Sequence, residues 1–293
     1  MSASSTPAIV TFSRRSDPAF FMEWFMQRVG EGLCSVPNPF SGIPYSVSLE
    51  PEDVLLLNFW TKAPAVVAPY VDGLIGMGYR LAFFISQTSY PHYLEACVPP
   101  LEAIWAGVVE LAQKVGPDAL WWRYDPIIVS ECLSAGWHIE NFTRLCKQTW
   151  QGNTKRVIVS LAHIDGPYRS IRPLLQRACA ENGDSLALPD YPSFIELVVT
   201  LTDIAREFGI SLEVCCSPEI RHTDLTRVKQ GACLSTEYVG KVVADLPELR
   251  PVRLRRGSQA YGYGPCRCLE SRDIGVNNTC RHGCVYCYAN RKR

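Results

Sequence analysis

The chain has 293 residues, of which 47% are hydrophobic, and its 29 basic and 29 acidic residues give a formal net charge of zero. This length and apolar content suffice for one large folded domain and exclude a chain that is disordered in bulk. The balanced charge disfavours a strongly charged partner such as nucleic acid. Residues 1–7 are polar, and no run of about 18 apolar residues occurs, so we expect no secretory signal, no membrane span and a cytoplasmic location.

Short apolar runs alternate with longer amphipathic patterns along most of the chain. Strands are predicted over residues 8–12, 53–60, 80–86, 119–124, 156–161 and 211–215. Helices are predicted over residues 18–29, 65–77, 101–115, 139–150 and 191–208. Because nearly continuous apolar strands that alternate with helices form buried parallel sheets, the pattern predicts an α/β fold, a single parallel β/α barrel that is partial or complete.

Polar residues follow the predicted strands at the points where the strands end. In a parallel α/β barrel the carboxyl ends of the strands form the active-site face. Lys62 follows a run of apolar residues, and a lysine at this position has no evident structural purpose. We therefore predict that Lys62 is catalytic, together with Arg123 and Asp125. The alternative for Arg123 and Asp125 is that they pair with each other across the barrel mouth.

A charged group follows the first predicted strand. Arg14, Arg15 and Asp17 are candidates for binding an anionic substrate or the carboxylate of a cofactor. The alternative is an ion pair that closes a turn.

Eight of the thirteen cysteines lie from Cys215 onward, and the five upstream stand singly, as small buried hydrophobic residues do. In a long chain without a secretory signal, clustered cysteines bind metal or perform redox chemistry more often than they form disulfides. Near the C-terminus, Cys280, Cys284 and Cys287 have x3 and x2 spacing. Three such thiolates can bind three irons of a 4Fe-4S cluster and leave the fourth iron open to S-adenosylmethionine (SAM).

A second set of thiols consists of Cys215, Cys233, Cys266 and Cys268. Four thiolates fit either a second 4Fe-4S cluster or a tetrahedral zinc ion. The alternatives are that Cys215 and Cys233 are buried bystanders, or that Cys216 replaces its neighbour Cys215. We therefore divide the chain into a barrel body, residues 1–249, and a Cys-rich iron–sulfur segment, residues 250–293, which completes the same domain around its metal centre.

The segment NNTCRHGCVYCYA, residues 277–289, resembles the cluster loop of radical-SAM proteins related to spore photoproduct lyase, which read roughly C-x-x-x-C-x-Y-C-Y. Tyr286 matches the aromatic residue that those proteins place beside the cluster, and the resemblance implies that it contacts the cofactor. Tyr288 is a further match. The chain also resembles an uncharacterised bacterial family with this terminal motif.

A weaker similarity to the same proteins extends over the barrel, at Ser16-Asp17-Pro18, Thr61-Lys62 and Arg123-Tyr124-Asp125-Pro126-Ile127-Ile128. In the relatives the cluster loop precedes the corresponding strands, whereas here it follows them. The resemblance thus implies a circularly permuted radical-SAM barrel in which the terminal loop is the loop of the first strand.

The resemblance implies an iron–sulfur enzyme that reductively cleaves SAM to a 5′-deoxyadenosyl radical, which then acts on an unknown substrate. Its partners would be SAM and an electron donor such as flavodoxin or ferredoxin. Fold and cluster are shared by many reactions, so the substrate stays open. The alternatives are a non-catalytic iron–sulfur protein and a zinc-binding protein that holds nucleic acid through its basic, aromatic C-terminal region, the less favoured interpretation.

Overall fold

The computed structural model describes residues 7–12, 15–38, 41–162, 164–165, 169–188, 191–215, 228–245 and 268–290. Its strands, numbered along the chain, are β1 (Ala8–Phe12), β2 (Leu33–Pro37), β3 (Pro44–Ser48), β4 (Val54–Thr61), β5 (Leu81–Ser86), β6 (Leu120–Ile127), β7 (Arg156–Leu161), β8 (Ser211–Cys215), β9 (Lys229–Gly231) and β10 (Ser271–Asp273). Its α-helices are α1 (Met22–Gly30), α2 (Pro64–Val67), α3 (Val71–Gly76), α4 (Leu101–Val115), α5 (Ala135–Leu145), α6 (Arg172–Glu181), α7 (Tyr191–Glu207) and α8 (Thr236–Val242).

Eight strands form one sheet in the order β10-β1-β4-β5-β6-β7-β8-β9, and every pairing in it is parallel. The prediction of an α/β fold with a parallel sheet is confirmed. From β1 to β9 the strands of this sheet follow one another in chain order. The exception is β10, which comes last in the chain but pairs with β1, so that Ile9 lies opposite Ser271 and Thr11 opposite Asp273. The Cys-rich segment therefore contributes an edge strand to the sheet.

Both faces of the sheet are buried within the described residues. One face packs against a large apolar cluster that includes side chains of α1, α4, α5 and α7. The opposite face carries a smaller cluster in which Trp60, Phe84 and Trp121 meet Tyr238 and Val239 of α8. Burial on both sides explains why the strands of this sheet are nearly continuous apolar runs that the sequence analysis could locate.

Three predicted helices differ from the observed ones. The helix expected over residues 18–29 starts with a 3₁₀ turn, Pro18–Phe20, and α1 follows it. The helix expected over residues 65–77 is broken into α2 and α3 by a 3₁₀ turn, Ala68–Tyr70, because Pro69 has no N–H to donate within a continuous helix. The helix expected over residues 139–150 begins earlier, where Ser134 caps α5, and it ends in a π-helical turn, Cys146–Trp150.

The antiparallel hairpin of β2 and β3 was not predicted. Only alternate residues of β2 are buried, Cys34 and Val36, so its apolar signal is weak beside that of the central strands. No helix of the described residues is long and apolar enough to cross a membrane.

Gly107 marks a close approach of α4 to α2. A Cβ atom added at this position would lie 2.1 Å from the backbone nitrogen of Ala65 and 2.7 Å from the carbonyl carbon of Pro64. Because backbone atoms cannot move aside as a flexible side chain can, Gly107→Ala should lower the free energy of unfolding by about 1–3 kcal/mol. Urea denaturation measures this change.

Gly73→Ala is the matched control, since nothing lies within 4 Å of a Cβ added to this helical glycine. Alanine has the higher helix propensity, so this variant should be as stable as the native chain or more stable by up to about 1 kcal/mol. Equal stability of the two variants would show that α2 and α4 are not in close contact.

Candidate functional site

The cysteine loop, defined here as residues 274–290, leaves the carboxyl end of β10 and lies across the ends of β1 and β4 and the connection that follows β5. Backbone hydrogen bonds anchor it both before the cysteine motif and within the motif. The N–H of Ile274 donates to the carbonyl of Thr11 (3.0 Å), and the N–H of Val285 donates to the carbonyl of Leu94 (3.0 Å). The N–H of Cys97 donates to the carbonyl of His282 (2.9 Å). The loop is therefore docked on the sheet by hydrogen bonds that do not depend on its thiols.

Asp17 is a buried carboxylate beneath this loop. Its Oδ1 accepts hydrogen bonds from the hydroxyl of Thr61 (2.7 Å) and the N–H of Ala19 (2.9 Å). Its Oδ2 accepts from the backbone N–H of Lys62 (2.7 Å) and from Nε2 of His282 (2.7 Å). One carboxylate thus joins the end of β4, the turn after β1 and the middle of the cysteine motif.

The imidazole of His282 lies between two acceptors. Nε2 contacts the Asp17 carboxylate, and Nδ1 lies 3.2 Å from the carbonyl oxygen of Cys97. Both partners offer oxygen atoms that can accept hydrogen bonds, so the ring bridges the turn after β1 and the connection that follows β5. These contacts show that His282 holds the loop against the sheet.

Glu95 is a second buried carboxylate, and it contacts the other half of the loop. Its Oε1 accepts hydrogen bonds from Nζ of Lys62 (2.8 Å), from the hydroxyl of Thr88 (2.7 Å) and from the phenol of Tyr286. Glu95 also forms a backbone bridge with Cys284. This glutamate therefore links the connection after β5 to the residue at the centre of the cysteine motif.

The charges of Lys62 and Glu95 stabilise each other. Burial alone would lower the pKa of Lys62, but Glu95 and the Cys284 thiol raise it overall. Burial alone would raise the pKa of Glu95, but the ammonium of Lys62 and the hydroxyls of Tyr286 and Thr88 lower it overall. Both groups are therefore charged, and the loop rests on a compensated ion pair.

The three thiols of the loop belong to the free cysteines Cys280, Cys284 and Cys287. Burial raises the pKa of Cys280 to about 11 and that of Cys284 to about 12, so a metal that binds them must displace their protons. Within the described part of the chain, no three His, Cys, Asp or Glu side chains are gathered closely enough to hold a single metal ion. A 4Fe-4S cluster makes a different demand, because each thiolate binds a different iron.

Two of the predicted cofactor-binding residues also have structural partners. Nε of Arg15 pairs with the carboxylate of Asp273 at the end of β10 (2.9 Å), which joins two adjacent strand ends. Tyr286 is buried, and its ring lies 5.8 Å from Nζ of Lys62 and 5.9 Å from the ring of Tyr90. Arg14 lies outside the described residues.

Arg123 and Asp125 lie elsewhere, beside the second set of thiols. The guanidinium of Arg123 pairs with the Asp125 carboxylate, as the structural alternative predicted, and Asp125 also accepts a hydrogen bond from Ser160. Another guanidinium nitrogen lies 3.1 Å from Sγ of Cys233, and that sulfur lies 3.6 Å from Sγ of Cys215. Cys268 belongs to the same buried cluster, and Cys266 lies outside the described residues.

The structure thus divides the predicted site residues between two places. Lys62 and Asp17 lie under the cysteine loop, to which Tyr286 belongs, whereas Arg123 contacts Cys233 of the second set and pairs with Asp125. The sequence analysis missed Glu95 because it stands alone in a connecting segment, with no strand end or motif beside it to mark it.

Asp17→Asn should loosen the cysteine loop, because an amide nitrogen cannot accept hydrogen bonds from the donors that surround Asp17. Leaving buried donors without an acceptor costs about 1–3 kcal/mol, which corresponds to about 5- to 150-fold faster amide exchange in the loop. Hydrogen–deuterium exchange of residues 277–290, compared with the native chain without added iron, measures the change.

Asp118→Asn, at an exposed position outside this network, is the control and should leave exchange of the loop unchanged. Native exchange rates in Asp17→Asn would mean that the Asp17–His282 contact does not hold the loop.

In a comparison with known protein families, one family model matches almost the whole chain. Residues 9–289, from β1 through the cysteine loop, match the family described as "Domain of unknown function (DUF1848)". Searches of curated proteins and of solved structures found no match. Because the matched range includes the parallel sheet and the loop docked on it, the chain belongs to the DUF1848 family.

Proposed function

We propose that the protein is an iron–sulfur enzyme of the radical-SAM type, which reductively cleaves SAM so that a 5′-deoxyadenosyl radical acts on a substrate still to be identified. The observation that carries the proposal is the position of the cysteine loop. Its three thiols lie at the carboxyl edge of a parallel sheet, where α/β enzymes bind their ligands, and a buried network of charged groups holds it there.

The donor set fits a 4Fe-4S cluster in number and chemistry. Cys280, Cys284 and Cys287 would hold it through three thiolates, and the described part of the loop offers no fourth cysteine. When bound, such a cluster supplies an open iron for the amino and carboxylate groups of SAM and one electron for cleavage of the sulfonium.

The strand order supports a circularly permuted barrel of the radical-SAM type. Because β10 pairs with β1, the cysteine loop follows the strand that stands first in the sheet, although this strand is last in the chain. In the proposed barrel β10 is the first strand, and β1, β4, β5, β6, β7, β8 and β9 follow it in order. A parallel arrangement of this kind keeps the carboxyl ends of the strands on one face.

The chain's own residues would prepare the site before any ligand binds. Asp17 and His282 fix the first half of the motif, while Glu95 and Tyr286 fix the second half. Tyr286 and Cys284 are buried in the same apolar cluster. A loop held in this way loses little conformational freedom on binding, so more of the binding free energy remains for the cofactor.

The proposed reaction needs an external electron, which a donor such as flavodoxin or ferredoxin would supply. Free thiols of this kind suit a reducing compartment, and we propose a cytoplasmic location. No contact of the described residues favours the alternative of nucleic-acid binding, whose basic candidates at residues 253–256 lie outside them.

Anaerobic reconstitution with iron and sulfide, followed by reduction in the presence of SAM, tests the proposal. The native chain should bind about four irons and four sulfides at the loop and should form 5′-deoxyadenosine. Cys284→Ala should lose that iron and form no 5′-deoxyadenosine, because the loop then offers only two thiolates. Iron and sulfide assays with chromatography of the nucleoside products measure both results.

Cys132→Ala is the matched control, since this cysteine is exposed and lies far along the chain from the loop. It should behave as the native chain does. A reconstituted and reduced native protein that binds the cluster but leaves SAM intact would favour a non-catalytic iron–sulfur protein, and SAM cleavage by Cys284→Ala would contradict the ligand assignment.

A further inference from the structure

Two buried thiols lie in contact at a second place in the fold. Cys215 ends β8, and Cys233 follows β9, yet their sulfur atoms are 3.6 Å apart. A tetrahedral zinc ion with Zn–S bonds of about 2.3 Å places two thiolate sulfurs about 3.8 Å apart. The two sulfurs therefore already have the spacing of adjacent ligands on one ion, unlike thiolates that bind different irons of a cluster.

The surroundings of the pair suit a negatively charged metal–thiolate group. A guanidinium nitrogen of Arg123 lies 3.1 Å from Sγ of Cys233, and only 6% of Cys233 and 8% of Cys215 are exposed. Arg123 also pairs with the carboxylate of Asp125, so its guanidinium is shared between that carboxylate and the sulfur. A hydrogen-bond donor directed at a ligating sulfur stabilises the thiolate and orients it, as groups around metal ligands commonly do.

A third thiol is brought close by the backbone. Cys268 is buried in the same cluster as Cys215 and Cys233. Leu269 follows Cys268, and Leu234 follows Cys233. The N–H of Leu269 donates to the carbonyl of Leu234 (2.8 Å), so this hydrogen bond joins the two segments beside their cysteines. In the described residues the pair and Cys268 do not yet surround one point as a complete set of three ligands.

We propose that Cys215, Cys233 and Cys268 bind one Zn²⁺ ion, distinct from the metal centre of the cysteine loop. On binding, each thiol releases its proton to solvent as its sulfur forms a bond to zinc, and no electron is transferred. Cys268 would complete the set by moving toward the preformed pair.

The position of this ion gives it a structural role. The sheet has two edges among the described residues, β9 and β10, and Cys233 follows the first while Cys268 precedes the second. An ion held by both would join the two edges beside the Leu269–Leu234 hydrogen bond. It would thereby fix β10, from which the cysteine loop extends.

Metal analysis of the purified native chain tests the proposal. We expect about one zinc per chain, retained in Cys284→Ala, and at least about tenfold less zinc in Cys215→Ala and in Cys233→Ala. Cys146→Ala is the matched control, because this thiol is equally buried but lies on the opposite face of the sheet. Retention of zinc by Cys284→Ala separates this site from the loop, so either proposal can fail alone.

Three results would overturn the inference. The first is a zinc content that is unchanged in Cys215→Ala and Cys233→Ala. The second is that these variants lose iron and sulfide in place of zinc. The third is a disulfide between Cys215 and Cys233 that is found in the native chain after its free thiols have been alkylated. Should the two variants fail to fold, Co²⁺ added to metal-free Cys284→Ala protein decides the question. A thiolate-to-cobalt charge-transfer band supports the site, and its absence overturns it.

Discussion

A carboxylate that is removed from water must find donors for its lone pairs inside the protein, and much of this structure follows from how Asp17 meets that demand. The hydroxyl of Thr61, the backbone of Ala19 and Lys62, and the ring of His282 all donate to it. These donors belong to the end of β4, the turn after β1 and the cysteine loop. The loop thus supplies one of the hydrogen-bonding partners that this buried side chain requires.

The ion pair of Lys62 and Glu95 extends the same principle to the other half of the loop. A buried pair repays its desolvation only when further hydrogen bonds complete it, and Thr88 and Tyr286 supply them. Because Tyr286 and the backbone of Cys284 are both tied to Glu95, the polar network also fixes the position of a proposed metal ligand. The charged residues at the strand ends therefore act on the site mainly by positioning the loop.

The two sets of thiols have different surroundings. Cys215 and Cys233 are in direct contact beside the guanidinium of Arg123, which suits ligands of a single ion. In the cysteine loop, the backbone of Cys284 instead pairs with Glu95, which forms the ion pair with Lys62. Arg123 and Asp125, which resemble catalytic residues by their place at a strand end, belong to the first of these environments.

The sequence by itself determined the parallel sheet and the cysteine motif, because doubly buried strands are continuous apolar runs and the three thiols of the motif stand at short spacings. It did not determine the β2–β3 hairpin, whose strands are only half buried, or the role of Glu95, which no local pattern marks. It also left open whether Arg123 and Asp125 pair with each other. Tertiary structure decided these points, because contacts such as that between Asp17 and His282 join residues 265 positions apart and depend on how the strands pack.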